Sequence, residues 1–113
     1  MRIDSYAFGK VVIDGRSYIS DVIIYLDRVD PRWWRREGHL LCVQDIETAI
    51  EEKPDLLIVG TGSPGRMRVL PETELRLKHE GIRLIAKPTD EACTVYNQLA
   101  PTRRVVACLH LTC

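Results

Sequence analysis

The sequence predicts a single α/β domain over residues 1–113: an N-terminal β-hairpin, then helices and strands in alternation. Three observations carry that expectation. Asp14-Gly15 separates two stretches of strand-like pattern, the strongest short hairpin signal. Leu56-Leu-Ile-Val59 is a continuous apolar run of the kind buried on both faces of a sheet. Helical patterns with matching start and stop residues separate the later strands, which implies parallel pairing through right-handed crossovers.

The elements follow in order. Tyr6 to Ile13 alternates as a strand, and Ser17 to Leu26 continues it beyond the turn. Asp27 to Gly38 is polar and Arg-rich and holds Pro31, so it reads as a surface loop carrying Trp33 and Trp34. Leu40-Leu-Cys-Val43 suits a short strand. Asp45 can cap a helix to about Lys53, with Ile46, Ala49 and Ile50 on one face, stopped by Pro54. The doubly apolar strand after Asp55 ends at Gly60.

Arg66 to Pro71 alternates like a brief strand, and Pro71 suits the first turn of a helix to about Glu80. Gly81 fits the position after its end. Ile82 to Ala86 is the next strand. Thr89 caps a third helix with Asp90 and Glu91 in its first turn, and Pro101 ends it. Arg104 to Thr112, mostly apolar, is a long and central final strand.

Composition bounds the function. A chain of 113 residues, 45% hydrophobic and 28% charged, can bury one core without disulfides. Acidic and basic residues balance at 16 each, which argues against an obligate nucleic-acid binder. Cys42, Cys93, Cys108 and Cys113 lack the spacing of a metal site or a disulfide framework, so free thiols in a reducing cytoplasm are expected. Met1 to Tyr6 shows no export signal, and no stretch is apolar enough for a membrane span.

Gly60-Thr-Gly62-Ser-Pro-Gly65 spells G-x-G-x-x-G directly after an apolar strand. In a dinucleotide site a helix begins within that motif and holds the pyrophosphate. Here a strand-like stretch follows instead, Pro64 falls inside the motif, and Lys87-Pro88 stands where an acidic strand end is needed. No NAD or other cofactor is therefore expected, and no metal. The loop reads instead as a backbone nest in which Gly60, Thr61, Gly62 and Gly65, with Arg66, meet a small anion. Parallel pairing brings it to one edge with Lys87-Pro88 and with His110 and Cys113. An antiparallel last strand would bring Arg103 and Arg104 there instead.

The Arg28, Arg32, Arg35 and Arg36 loop with Trp33 and Trp34 reads as a partner surface, because Trp and Arg are enriched at binding hot spots. Trp33, Trp34, Arg35 and Arg36 are its candidate contacts. Single-stranded nucleic acid is disfavoured by the acids nearby: Asp27, Asp30, Glu37 and Asp45.

Phe8-Gly9, Gly15, Asp21-Val-Ile-Ile24, Gly38-His39, Gly60-Thr-Gly62, Leu70-Pro-Glu72, Thr89 with Glu91-Ala92, Tyr96-Asn97 and His110-Leu-Thr-Cys113 together resemble the small domain of mitochondrial respiratory complex I assembly factor three. The same domain occurs in an adipogenesis-associated cytosolic protein and in stand-alone prokaryotic proteins of unknown function. The likeness spans nearly the whole chain. It implies a three-layer α/β fold with a mixed central sheet and no settled enzymatic activity. With no presequence in view, the stand-alone prokaryotic type is the better match.

The expected function is thus a small cytoplasmic, oligomeric binding domain without catalysis of its own, serving a protein partner or a small anion. The alternative is an enzyme acting on a small phosphorylated or carboxylated substrate at the same edge, with His110 as acid/base.

Overall fold

The computed structural model describes residues 1–113. Its centre is a five-stranded mixed sheet built from β4 (Val22–Ile24), β5 (Val29–Asp30), β7 (Leu56–Thr61), β9 (Arg83–Lys87) and β10 (Val105–His110), in the order β5-β4-β10-β7-β9. β10 is central and runs parallel to β7, and β7 runs parallel to β9. β4 lies antiparallel to β10, which makes the sheet mixed. The last strand therefore leaves His110, not Arg103 and Arg104, at the edge where β7 ends.

Both faces of β7 and β10 are covered, and all six residues of each are buried. Alternation explains the division. Leu56 and Ile58, with Val105, Ala107 and Leu109, face α3 (Thr89–Leu99) and join Ala92 and Tyr96 in one cluster. Leu57 and Val59, with Val106 and Cys108, face α1 (Glu47–Glu51) and α2 (Pro71–His79) and join Ala49, Ile50 and Leu77 in the other. Each buried Leu, Ile or Val among them stabilises the fold by roughly 1.5–3 kcal/mol before entropy opposes it.

The N-terminal segment forms a separate meander of β1 (Ile3–Ala7), β2 (Lys10–Ile13) and β3 (Arg16–Tyr18). Ile3, Val11 and Ile13 seat it on the α3 layer. Asn97 fastens it there: its side-chain oxygen accepts from Ile3 N–H at 2.9 Å, and its amide donates to Ile3 O at 2.7 Å. A two-stranded parallel ribbon, β6 (Leu40–Leu41) with β8 (Arg68–Val69), closes the opposite side.

Several expected elements are corrected. The strand expected over Tyr6 to Ile13 is two strands, because Gly9 takes φ +81 and turns the chain. The stretch Ser17 to Leu26 breaks between Tyr18 and Val22 as the chain passes from one sheet to the other. Asp45 does not start the first helix. A 3-10 turn over Val43–Ile46 precedes α1, and Asp45 reaches back to accept the Cys42 N–H at 3.0 Å. Thr89 is inside α3 rather than its cap, a position held by Pro88. No helix is long and apolar enough to cross a membrane.

Candidate functional site

Asp21 precedes β4, and His110 ends β10 beside it. The two sides of the Asp21 carboxylate do different work. Oδ1 accepts the Leu111 N–H at 2.8 Å. Oδ2 accepts Arg35 Nη1 at 2.8 Å and lies 2.8 Å from His110 Nδ1. A carboxylate only accepts, so Nδ1 carries the imidazole proton and donates it to Asp21. The 3.1 Å approach of Arg35 Nη2 to the same nitrogen is then a contact between two donors. That Nη2 instead donates to Gly38 O at 3.2 Å.

Burial alone would push the Asp21 carboxyl up. Hydrogen bonds from His110, from the Leu111 N–H and from Arg35 outweigh it and hold the group below its ordinary value. The Arg35 and His110 side chains are only 6% and 8% exposed and that of Asp21 is 18% exposed, so the cluster is shielded from water on the Arg35 and His110 side and partly open at Asp21.

The Trp/Arg loop is anchored from beneath. Arg35 stacks over the Trp33 ring, 4.6 Å from its centroid. Trp33 is buried, and its Nε1–H donates to Asp45 O at 3.0 Å. Asp45 Oδ1 accepts the Arg36 N–H at 3.1 Å. Trp34, by contrast, is 77% exposed, and Arg36 points into solvent. The expectation of a solvent-facing tryptophan pair is thus corrected: one indole packs the core, and only the other is presented.

The glycine loop lies across His110. Gly62 takes φ +95, and a Cβ there would meet Thr112 O at 2.4 Å and His110 Cδ2 at 2.7 Å. Thr89 Oγ1 accepts the Gly62 N–H at 2.8 Å and donates to His110 O. The Ser63 N–H donates to Thr112 O at 3.0 Å. A Cβ on Gly60 would come within 2.9 Å of that same Thr89 oxygen, and one on Gly65 within 3.2 Å of Pro88. These glycines let loop, helix start and strand end approach closely. The amides of Gly62 and Ser63 are already donated within the chain. After Gly65 the chain enters β8, not a helix.

The structure therefore gathers Gly60, Thr61, Gly62, Gly65, Arg35 and His110 at one edge. Arg66 and Cys113 are exposed there, and His39 Nε2 donates to a main-chain oxygen of Cys113 at 2.7 Å. His110 Nε2 and Arg35 Nε are buried without a hydrogen-bond partner. No three His, Cys, Asp or Glu side chains converge as a metal set. The residue that sequence reasoning passed over is Asp21. It stood only within the Asp21-Val-Ile-Ile24 motif, and its sole local signal is an acid directly before a buried strand.

Fold and site together define a small α/β domain that closes its strand-end edge with its own side chains and presents one tryptophan beside it. The chain belongs to the DUF498/DUF598 family of proteins of unknown function, whose model matches residues 3–110. A conserved hypothetical protein from Pyrococcus horikoshii OT3 is similar at 32% identity and TM-score 0.86, with both chains fully covered. The structure called MT938 is similar at 28% identity and TM-score 0.80, covering 99% of this chain and 98% of that one. A Bordetella pertussis protein described as a Mth938-like domain shares the fold at TM-score 0.76 and 20% identity, covering 97% of this chain and 85% of its own.

Proposed function

We propose that this chain is a non-catalytic protein-binding domain of the assembly type, working in the cytoplasm. Its docking rim is the loop around Trp34 and Arg36 together with the Gly62–Arg66 turn. The resemblance to the complex I assembly factor three domain supports an assembly role, and the four free cysteines agree with a reducing compartment. One observation carries the reading: Trp34 is 77% exposed while its neighbours Trp33 and Arg35 are locked into the core. A rigidly mounted, solvent-facing indole flanked by exposed Arg32 and Arg36 matches the composition of a protein hot spot. A protein partner fits better than a small anion, because the loop amides of Gly62 and Ser63 already have acceptors.

A photo-crosslinking amino acid at position 34, with a second at exposed Glu51 as control, tests the proposal in cells. One partner captured from position 34 alone, and lost with Arg36→Ala, is the expected result; a captured second copy of the chain would make the rim a self-association surface. Saturable thermal stabilisation by inorganic phosphate or citrate, with nothing captured, would overturn the proposal in favour of a small-anion site.

The second reading is an enzyme with His110 as acid/base on a small phosphorylated or carboxylated substrate. The Asp21–His110 pair favours it, since a carboxylate that fixes an imidazole is a common catalytic arrangement. It requires the Gly62 turn to lift, because Nε2 is buried beneath it.

A further inference from the structure

Strand β9 is an outer edge of the central sheet and pairs only with β7. The Arg83 N–H donates to Asp55 O, on the β7 side. Alternation then turns the main-chain N–H and C=O groups of Leu84 and Ala86 away from the sheet. Shallow, open hollows flank this outward row on both faces. One, of about 440 Å³, lies toward α2 beside Leu77, Ile82 and Leu84. The other, of about 470 Å³, lies toward α3 beside Ile85, Ala86 and Val95. Leu84 and Ile85 are only half buried. Free main-chain groups for affinity, with pockets on both faces for alternate side chains, are what an added strand uses.

The charges at the two ends of β9 select the occupant. A second copy could add antiparallel in one register that engages all four outward groups, with Leu84 opposite Ala86 on each side of a two-fold at Ile85. Registers shifted either way need Ile82 N–H, which already donates to Leu77 O, or Pro88, which has none. The one usable register sets Arg83 directly against Lys87 twice, and like charges directly opposite repel. Arg83 and Lys87 share one strand face with Ile85 between them. On an incoming strand they match two carboxylates four residues apart with an apolar residue midway.

We infer that β9 is a docking edge for an extended segment of another protein, carrying acidic residues four positions apart around a central apolar residue. This edge is independent of the Trp34 rim, and Trp34→Ala leaves it intact. The probes are two labelled, end-blocked peptides: Val-Ile-Val between glutamates, and Val-Ile-Val between lysines. Binding to the full chain is followed by fluorescence anisotropy at low salt and by amide hydrogen exchange.

The glutamate peptide is expected to saturate at least tenfold below the lysine peptide and to slow exchange at the Leu84 and Ala86 amides at least tenfold. Ala86→Pro removes one outward N–H without touching the β7 ladder, and weakens binding at least tenfold. The double substitution R83E and K87E reverses the peptide preference and checks the same point without altering the backbone. Equal binding of the two peptides, no binding at millimolar glutamate peptide, or protection away from Leu84 and Ala86 would each overturn the inference. So would light scattering that shows a dimer with those two amides already protected, since the occupant would then be a second copy.

Discussion

His110 Nδ1 lies 2.8 Å from Asp21 Oδ2 across 89 positions of sequence. The contact continues the β4–β10 pairing past its last ladder residues, with side chains in place of backbone. Arg35 enters the same carboxylate from a third segment, so one partly buried anion fixes a strand start, a strand end and the Trp/Arg loop.

Asp21→Asn leaves Arg35 buried without its counter-charge. The loss is expected to be on the order of 3 kcal/mol, read as a fall in unfolding free energy in urea. A loss under about 0.5 kcal/mol, the size of an ordinary surface change, would show the cluster to be structurally idle.

The same carboxyl sets a pH dependence. Its folded value lies below its unfolded one, so its contribution is complete above about pH 4 and is lost as pH falls through the folded value. Acid titration of stability should fall off below about pH 4 in the parent chain and less steeply in Asp21→Asn. Parallel curves would assign the acid limb to another group.

Gly62 and Gly81 share positive φ but not surroundings. Gly81→Ala meets open space and carries only the backbone penalty, about 1 kcal/mol. Gly62→Ala adds a clash with Thr112 O and His110, and is expected to lose at least about 2 kcal/mol more than Gly81→Ala. Equal losses in guanidinium unfolding would mean that the turn is not pressed on the histidine.

Thr89→Val removes a hydroxyl that serves Gly62 and His110 at once and leaves a buried N–H without an acceptor. A cost of about 1–3 kcal/mol follows, while Thr89→Ser retains most of the stability. If Ser and Val behave alike, the hydroxyl is not what matters.

Native thiol labelling should order the cysteines. Cys113 is exposed and reacts first. Cys42 follows slowly, because burial and then its hydrogen bond to Asp45 push its thiol up. Cys93, pushed up to about 12 by burial, and Cys108, fully buried, react only on unfolding. Fast modification of Cys108 in the folded chain would contradict the central place of β10.

Much of the architecture was legible. Leu56-Leu-Ile-Val59 marked β7 because a doubly covered strand needs no polar alternation, and Pro71 and Gly81 bracketed α2 through their backbone preferences. What misled was local grammar with more than one use. Asp45 and Thr89 are good helix starters, yet Asp45 serves the 3-10 turn before α1, accepting the amide of its first flanking residue, Cys42, and Thr89 is recruited by Gly62 and His110 outside its helix. Trp33 and Trp34 look equivalent in sequence, and only the packing of Arg35 over one of them separates a core residue from a surface residue.

The sequence by itself determined the α/β alternation, the parallel run of β7 and β9, and the glycine loop at a strand end, because periodicity and turn chemistry act over a few neighbouring residues. Tertiary structure alone decided that Asp21, Arg35 and His110 share one partly buried polar cluster and that Gly62 covers its histidine. Those residues meet only when β4 docks antiparallel on β10, and a pairing between distant strands leaves no periodic trace along the chain.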